Sequence, residues 1–134
     1  MNTRFLMVAS SLALGAAGLA LSFAPVEVLG LLHVAAPEPL PVLGQLGGAL
    51  YLAWAFANWT AKDSLIGGIY ARPLSLGNCL HFLVGALALG KYEFAHGFST
   101  ALTAVLVSYA LFAVGFSWLV FGRGAACATG SSGG

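Results

Sequence analysis

Four apolar stretches, Phe5–Ala24, Val42–Ala61, Pro73–Gly90 and Phe98–Phe121, take up most of this chain, and its few charges fall between or beyond them. A bilayer has a hydrocarbon core of about 30 Å and a helix rises about 1.5 Å per residue, so one crossing takes about 20 apolar residues. Each stretch comes close to that length. Lipid offers no partner for backbone N–H and C=O groups, so apolar spans of this kind become helices. A water-soluble helical core would need a polar face on each helix, whereas these stretches are apolar or small nearly all round. With 60% hydrophobic and 7% charged residues, the chain also lies far from the soluble average of about 25% charged. The predicted fold class is an all-α membrane protein, an up-down-up-down four-helix transmembrane bundle.

A chain of 134 residues fits one domain. Residues 1–124 are expected to form the four-span domain, and 125–134, rich in Gly and Ser, a flexible tail. Met1–Ala24 reads as the first helix rather than a cleaved leader, because its apolar run exceeds the about 7–15 residues of a signal-peptide core. A net charge of +1 leaves no basic surface for nucleic acid. Two cysteines, Cys79 and Cys127, are too few for a disulfide framework or a metal cluster.

Orientation follows from the cations. Arg4, Lys62, Arg72 and Arg123 share one side and Lys91 alone takes the other, so both termini and the middle loop are expected at the cytoplasmic face of a multi-pass inner-membrane protein. Glu27, Glu38 and Glu93 then fall outside. Trp59, Tyr70, Trp118 and Tyr92 suit the two aromatic belts. Between spans one and two, prolines at 25, 37, 39 and 41 bracket Val26–Ala36. Within the bracket Glu27, Gly30 and His33 make one polar stripe, which predicts a short interfacial helix followed by extended chain. The middle loop, Lys62–Arg72, is apolar enough to lie along the interface.

Helices associate in lipid through close backbone approach, so small residues mark the inward faces. Span one offers Ser11, Gly15, Gly18 and Ser22; span two offers Gly44, Gly48, Tyr51, Ala55, Asn58 and Lys62. Span three offers Gly77, His81, Gly85 and Ala88, and span four Ala101, Ala104, Ser108 and Gly115.

Polar groups are costly inside a membrane and form the default site. Asn58 and, at the end of its span, Lys62 and Asp63 come from span two; Asn78 and His81, three apart and on one face, come from span three. Counting about 1.5 Å per residue, Asn58 and Asn78 share a shallow depth, and His81 lies about 12 Å in, level with Ser11 and Trp54. Arg72 and Asp63 sit above. Asn58, Asn78, His81, Trp54, Asp63 and Arg72 are therefore the candidate ligand-binding residues. One reading makes them interhelical hydrogen bonds worth about 0.6–2 kcal/mol each. The other makes them the site of an amphipathic ligand, head group among the polar side chains and tail between helices. A proton relay through His81 would need a second titratable group at depth, and none is evident from the sequence.

His33 and His96 belong to the side opposite His81, which disfavours a bis-histidine haem. Zinc ligand spacing, a nucleophilic triad and a phosphate-binding glycine loop are not found. No metal and no catalytic residue is therefore assigned, and the chain reads as a binding or subunit protein rather than an enzyme.

Phe23-Ala24-Pro25, a short surface segment, and then Gly44-x-x-Gly47-Gly48-Ala49-Leu50-Tyr51-Leu52-Ala53 resemble the layout of the small DoxX-like four-span bacterial membrane proteins. That resemblance covers about the first 55 residues and implies a membrane subunit in a redox or quinone-linked system, with quinone the cofactor it suggests. Asn58 to Phe82 has no counterpart in the pattern. The expected function is thus lipophile binding or service as a complex subunit, with membrane-protein partners or a homo-oligomer in the bilayer. A quinone-linked redox component is the alternative, and a small transporter or channel, which would have to oligomerise, is the third.

Overall fold

The computed structural model describes residues 3–63 and 71–122. They form five α-helices: α1 Thr3–Phe23, α2 Pro25–Leu31, α3 Leu40–Ala61, α4 Ala71–His96 and α5 Thr100–Ser117, the last running into a π-helical turn, Trp118–Gly122. Four of the helices are long and apolar enough to cross a membrane. Their outer faces carry large apolar side chains such as Leu12, Leu50, Phe56, Leu87, Leu111 and Val114, all well exposed. Apolar exposure on that scale is out of keeping with water and matched by acyl chains. The chain is an all-helical, multi-pass membrane protein, as its sequence predicts.

The helices divide into two compact units. The first holds α1, α2, α3 and the short stretch Ser99–Leu102; the second holds α4, the rest of α5 and the π-helical turn. In the first unit α1 and α3 run antiparallel along the two small-residue faces named above. An added methyl at Gly15 would lie 3.6 Å from the Ala55 Cβ, and Gly44 faces the ring of Pro25. Closest approach falls at Gly18 and Gly48. A Cβ on Gly18 would lie 2.9 Å from the Gly48 carbonyl oxygen, and one on Gly48 would lie 2.8 Å from the Ser22 nitrogen. Only glycine lets two helix backbones come so near.

The short helix predicted between spans one and two is α2. Pro25 opens it, where the missing N–H costs nothing. It ends where His33 takes a left-handed conformation, φ 58°, with its N–H bonded to the Gly30 carbonyl at 3.0 Å. Pro41 falls in the first turn of α3, so that helix begins two residues before the predicted span.

In the second unit α4 and α5 form an antiparallel hairpin. Successive contacts pair rising positions on α4 with falling ones on α5: Cys79 with Ser117, Phe82 with Phe112, Gly85 with Tyr109 and Glu93 with Thr103. Two expectations change here. The helix predicted to stop at Gly90 continues through Lys91-Tyr92-Glu93 to His96. Ala104 and Ser108, expected on the inner face of α5, are exposed. Ser108 donates its hydroxyl proton to its own helix at the Ala104 carbonyl, 2.8 Å away, and so needs no partner helix. The packing face of α5 is aromatic instead. Phe82, fully buried, stacks on Phe112 at 4.8 Å and on Phe116 at 5.8 Å, while Gly85 leaves the space that the Tyr109 ring fills. The expected interfacial run Ser64–Tyr70, the cation Arg123, Cys127 and the tail 125–134 lie outside the described residues.

Candidate functional site

The six candidate residues fall three to a unit. In the first, Asn58 is completely buried on α3 and donates from Nδ2 to Ser10 Oγ on α1 at 3.0 Å; Ser10 Oγ donates onward to the Met7 carbonyl at 3.0 Å. Ser11 Oγ donates to the Ala55 carbonyl at 2.7 Å. These bonds lie on the two glycine-rich faces, so the first unit uses Asn58 to tie α1 to α3, the interhelical role weighed for it above. Ser10 was not singled out in the sequence, since one serine among small residues carries no signal until its partner helix is in place. Trp54 is half-buried one turn before Asn58. Asp63 stands at the end of α3 in an ion pair with Arg4, Nε to Oδ1 3.2 Å, both side chains mostly exposed. Next to it the Lys62 ammonium sits 3.6 Å over the Trp59 ring.

In the second unit Arg72 is exposed at the start of α4 and Asn78 is fully buried, donating from Nδ2 to the Leu74 carbonyl one turn back at 2.9 Å. His81 is half-buried on the hairpin. Its ring meets the edge of Phe82 at 5.2 Å and lies tilted against Tyr109 at 5.7 Å. Phe82 and Tyr109 themselves meet edge to face at 5.3 Å, a favoured geometry for aromatic pairs. The result is a three-ring nest, one ring an imidazole that can donate or accept a hydrogen bond. One turn towards the start of α4, the buried Cys79 thiol lies 3.2 Å from the Ser117 hydroxyl.

A further polar residue belongs to this hairpin. Glu93, placed outside the membrane by the sequence reading, is completely buried in α4, and Thr103 Oγ1 donates to its Oε1 at 2.8 Å. Its concealment came from reading Lys91-Tyr92-Glu93 as loop. Position 93 stands four and eleven residues beyond Leu89 and Phe82, a helical spacing that runs through the break assumed at Gly90. Among the described residues there is no group of three or more His, Cys, Asp or Glu that would hold a metal ion.

Comparison with protein-family models, with curated proteins and with solved structures found no match. The fold and the residues described here define a class, the four-span helical membrane proteins.

Proposed function

We propose that this membrane protein binds a small lipophile carrying a flat polar head, and that it does so on the α4–α5 hairpin. The observation that supports this reading is the ring nest of His81, Phe82 and Tyr109. Imidazole is the one group in the nest with a ring nitrogen for a ligand carbonyl or hydroxyl, and the two aromatic rings offer faces for a planar head. His81 and Tyr109 are half-buried as residues, while His81 Nε2 is itself buried. A ligand dissolved in the bilayer therefore meets the exposed edges of the rings first and reaches that nitrogen by a shift of the neighbouring side chains. Asn78, on the same face one turn away, is fully buried with Nδ2 bonded to the Leu74 carbonyl and is not part of the proposed contact. Asn58 belongs to the tie between α1 and α3, and Asp63 to the ion pair with Arg4. Binding of this kind suits a subunit or partner of a larger membrane assembly, with both termini on the cytoplasmic side of an inner membrane as the cation count favours.

The second reading is that the lipophile is a quinone. It draws on the DoxX-like layout of the first 55 residues and on the fit of an imidazole N–H to a quinone carbonyl.

Mass spectrometry of the gently solubilised protein tests both readings. A co-purifying lipophile, lost in His81→Ala while the variant still inserts and keeps its helix content, is the expected result; its identity decides between a general lipid and a quinone. Unchanged lipophile and unchanged partner recovery in His81→Ala would refute the site.

A further inference from the structure

The first unit carries a cation whose partner is a ring rather than a carboxylate. Lys62 caps the end of α3, and its Nζ sits 3.6 Å from the centre of the Trp59 ring, one turn back on the same helix. The carboxylate beside it, Asp63, pairs with Arg4 at the start of α1. Among the described residues no carboxylate pairs with Lys62. Arg4 and Lys62 against Asp63 leave this end of the unit with positive charge in excess. Glu27, His33 and Glu38 belong to the opposite end, beyond the full length of α1, about 30 Å away.

This is the geometry of an ammonium held for an anion. A lysine at a membrane boundary lays its stem along apolar surface and lifts its charge to the headgroups. Trp59 sets where that charge stands, since an indole face attracts a cation and the indole itself favours the boundary between hydrocarbon and water. An ammonium has three N–H donors, and the ring occupies one side of it, leaving the other for an acceptor such as a phosphate oxygen. The flank of α3 beneath the ammonium is apolar and faces outward. Phe56, three residues before Trp59 and so about 4.5 Å deeper along the axis, is 72% exposed, and Trp59 itself is 46% exposed. A phosphate at Lys62 with hydrocarbon along Trp59 and Phe56 has the outline of a phospholipid, and the excess positive charge selects an anionic one.

We infer that Lys62 and Trp59 form a binding site for the phosphodiester headgroup of an anionic phospholipid, in the leaflet at this end of the first unit. Lys62 supplies the charge, Trp59 holds it in place, and Phe56 carries the start of an acyl chain. The site is independent of the lipophile reading, because it shares no residue with the ring nest and belongs to the other unit.

The test places the full-length protein in nanodiscs of equal phosphatidylglycerol and phosphatidylcholine and identifies, by native mass spectrometry, which lipid stays bound as the disc is stripped away. Phosphatidylglycerol should be retained in preference. K62Q should lower that preference about fivefold, the worth of one cation at an anionic surface. W59L keeps the charge but removes the ring that holds it, and should lower the preference too. Trp59 is exposed and Lys62 stands past the last turn of α3, so neither change enters the packed contact with α1. K91Q removes one positive charge from the last turns of α4 and should leave the preference intact. Equal retention of the two lipids by the unaltered protein would overturn the inference. Equal losses in K62Q and K91Q would overturn it as well, since they would mark net charge rather than a site. An unchanged preference in W59L would overturn the part given to the ring. Inorganic phosphate added at constant ionic strength should not displace the lipid, whose chain lies along α3; displacement would overturn the lipid assignment in favour of a free anion.

Discussion

Replacing Gly48 by alanine adds one methyl group where α1 and α3 touch, and the structure sets what that methyl meets. Its position lies 2.7 Å from Ser22 Oγ, 2.8 Å from the Ser22 nitrogen and 2.9 Å from the Gly18 carbonyl oxygen, against the 3.4 Å at which ordinary contact begins. Two of the three are backbone atoms, so no rotamer change relieves the overlap. The helices must part locally by roughly half an ångström, in a packed contact that tolerates little extra volume. Overpacking of this kind costs about 1–3 kcal/mol, or about 5- to 150-fold in the unfolding equilibrium. Gly47→Ala is the control: it is the next residue on the same helix, and its added methyl meets nothing within 4 Å. Reversible unfolding of the purified protein in mixed detergent micelles, followed by circular dichroism, gives both values. Gly47→Ala should be neutral or slightly stabilising, because alanine is the better helix former. Gly18→Ala enters the same contact from α1, at 2.9 Å from the Gly48 carbonyl and from Leu52. The double variant should therefore cost less than the two single costs added, since helices already parted admit the second methyl. Equal stabilities for Gly48→Ala and Gly47→Ala would refute the close approach of α1 and α3.

Asn58→Ala and Ser10→Ala should each destabilise by about 1 kcal/mol or more, with a coupling of about 0.6 kcal/mol in the double-mutant cycle; zero coupling would mean that the two side chains do not meet. Gly85→Ala places a methyl against the Tyr109 ring and should cost about 1–3 kcal/mol. Most of that cost should disappear in the Tyr109→Ala background, and a cost that persists there would contradict the placement of the ring. Arg4→Ala removes a pair whose side chains are 66% and 63% exposed; the effect should stay below about 1 kcal/mol and shrink as salt is added. A larger, salt-insensitive loss would point to a buried role for Arg4.

The faces on which α1 and α3 meet were legible in the sequence because their signal is local, whereas the pairing of those two helices was not. Ser11, Gly15, Gly18 and Ser22 repeat at helical spacing, as do Gly44, Gly48 and Ala55, and small residues at that spacing have one common use in lipid. The α4–α5 contact follows a different rule. There Phe82, Tyr109, Phe112 and Phe116 fill the interface and a single glycine, Gly85, admits a ring. Large aromatic residues suit a lipid face and a helix interface equally well, so composition does not choose between them. The candidate site was legible to a similar degree. Asn58, Asn78 and His81 stood out by polarity alone, but what each one touches depends on which neighbour faces it.

Hydrophobic length alone determined that the chain is helical and built for a bilayer, since lipid leaves backbone groups no other way to pair. It also placed the four spans to within a few residues, apart from the end of α4, and the proline bracket located α2. Tertiary structure decided the rest. It sent Lys91, Tyr92 and Glu93 into a helix instead of a loop, because a carboxyl can stay in α4 once it is shielded and Thr103 supplies a hydrogen bond. It also assigned Asn58 to Ser10 and His81 to its aromatic neighbours. Polarity marks which side chains must avoid lipid, while the choice of partner depends on how the helices are rotated about their axes, a quantity that no single helix carries in its own sequence.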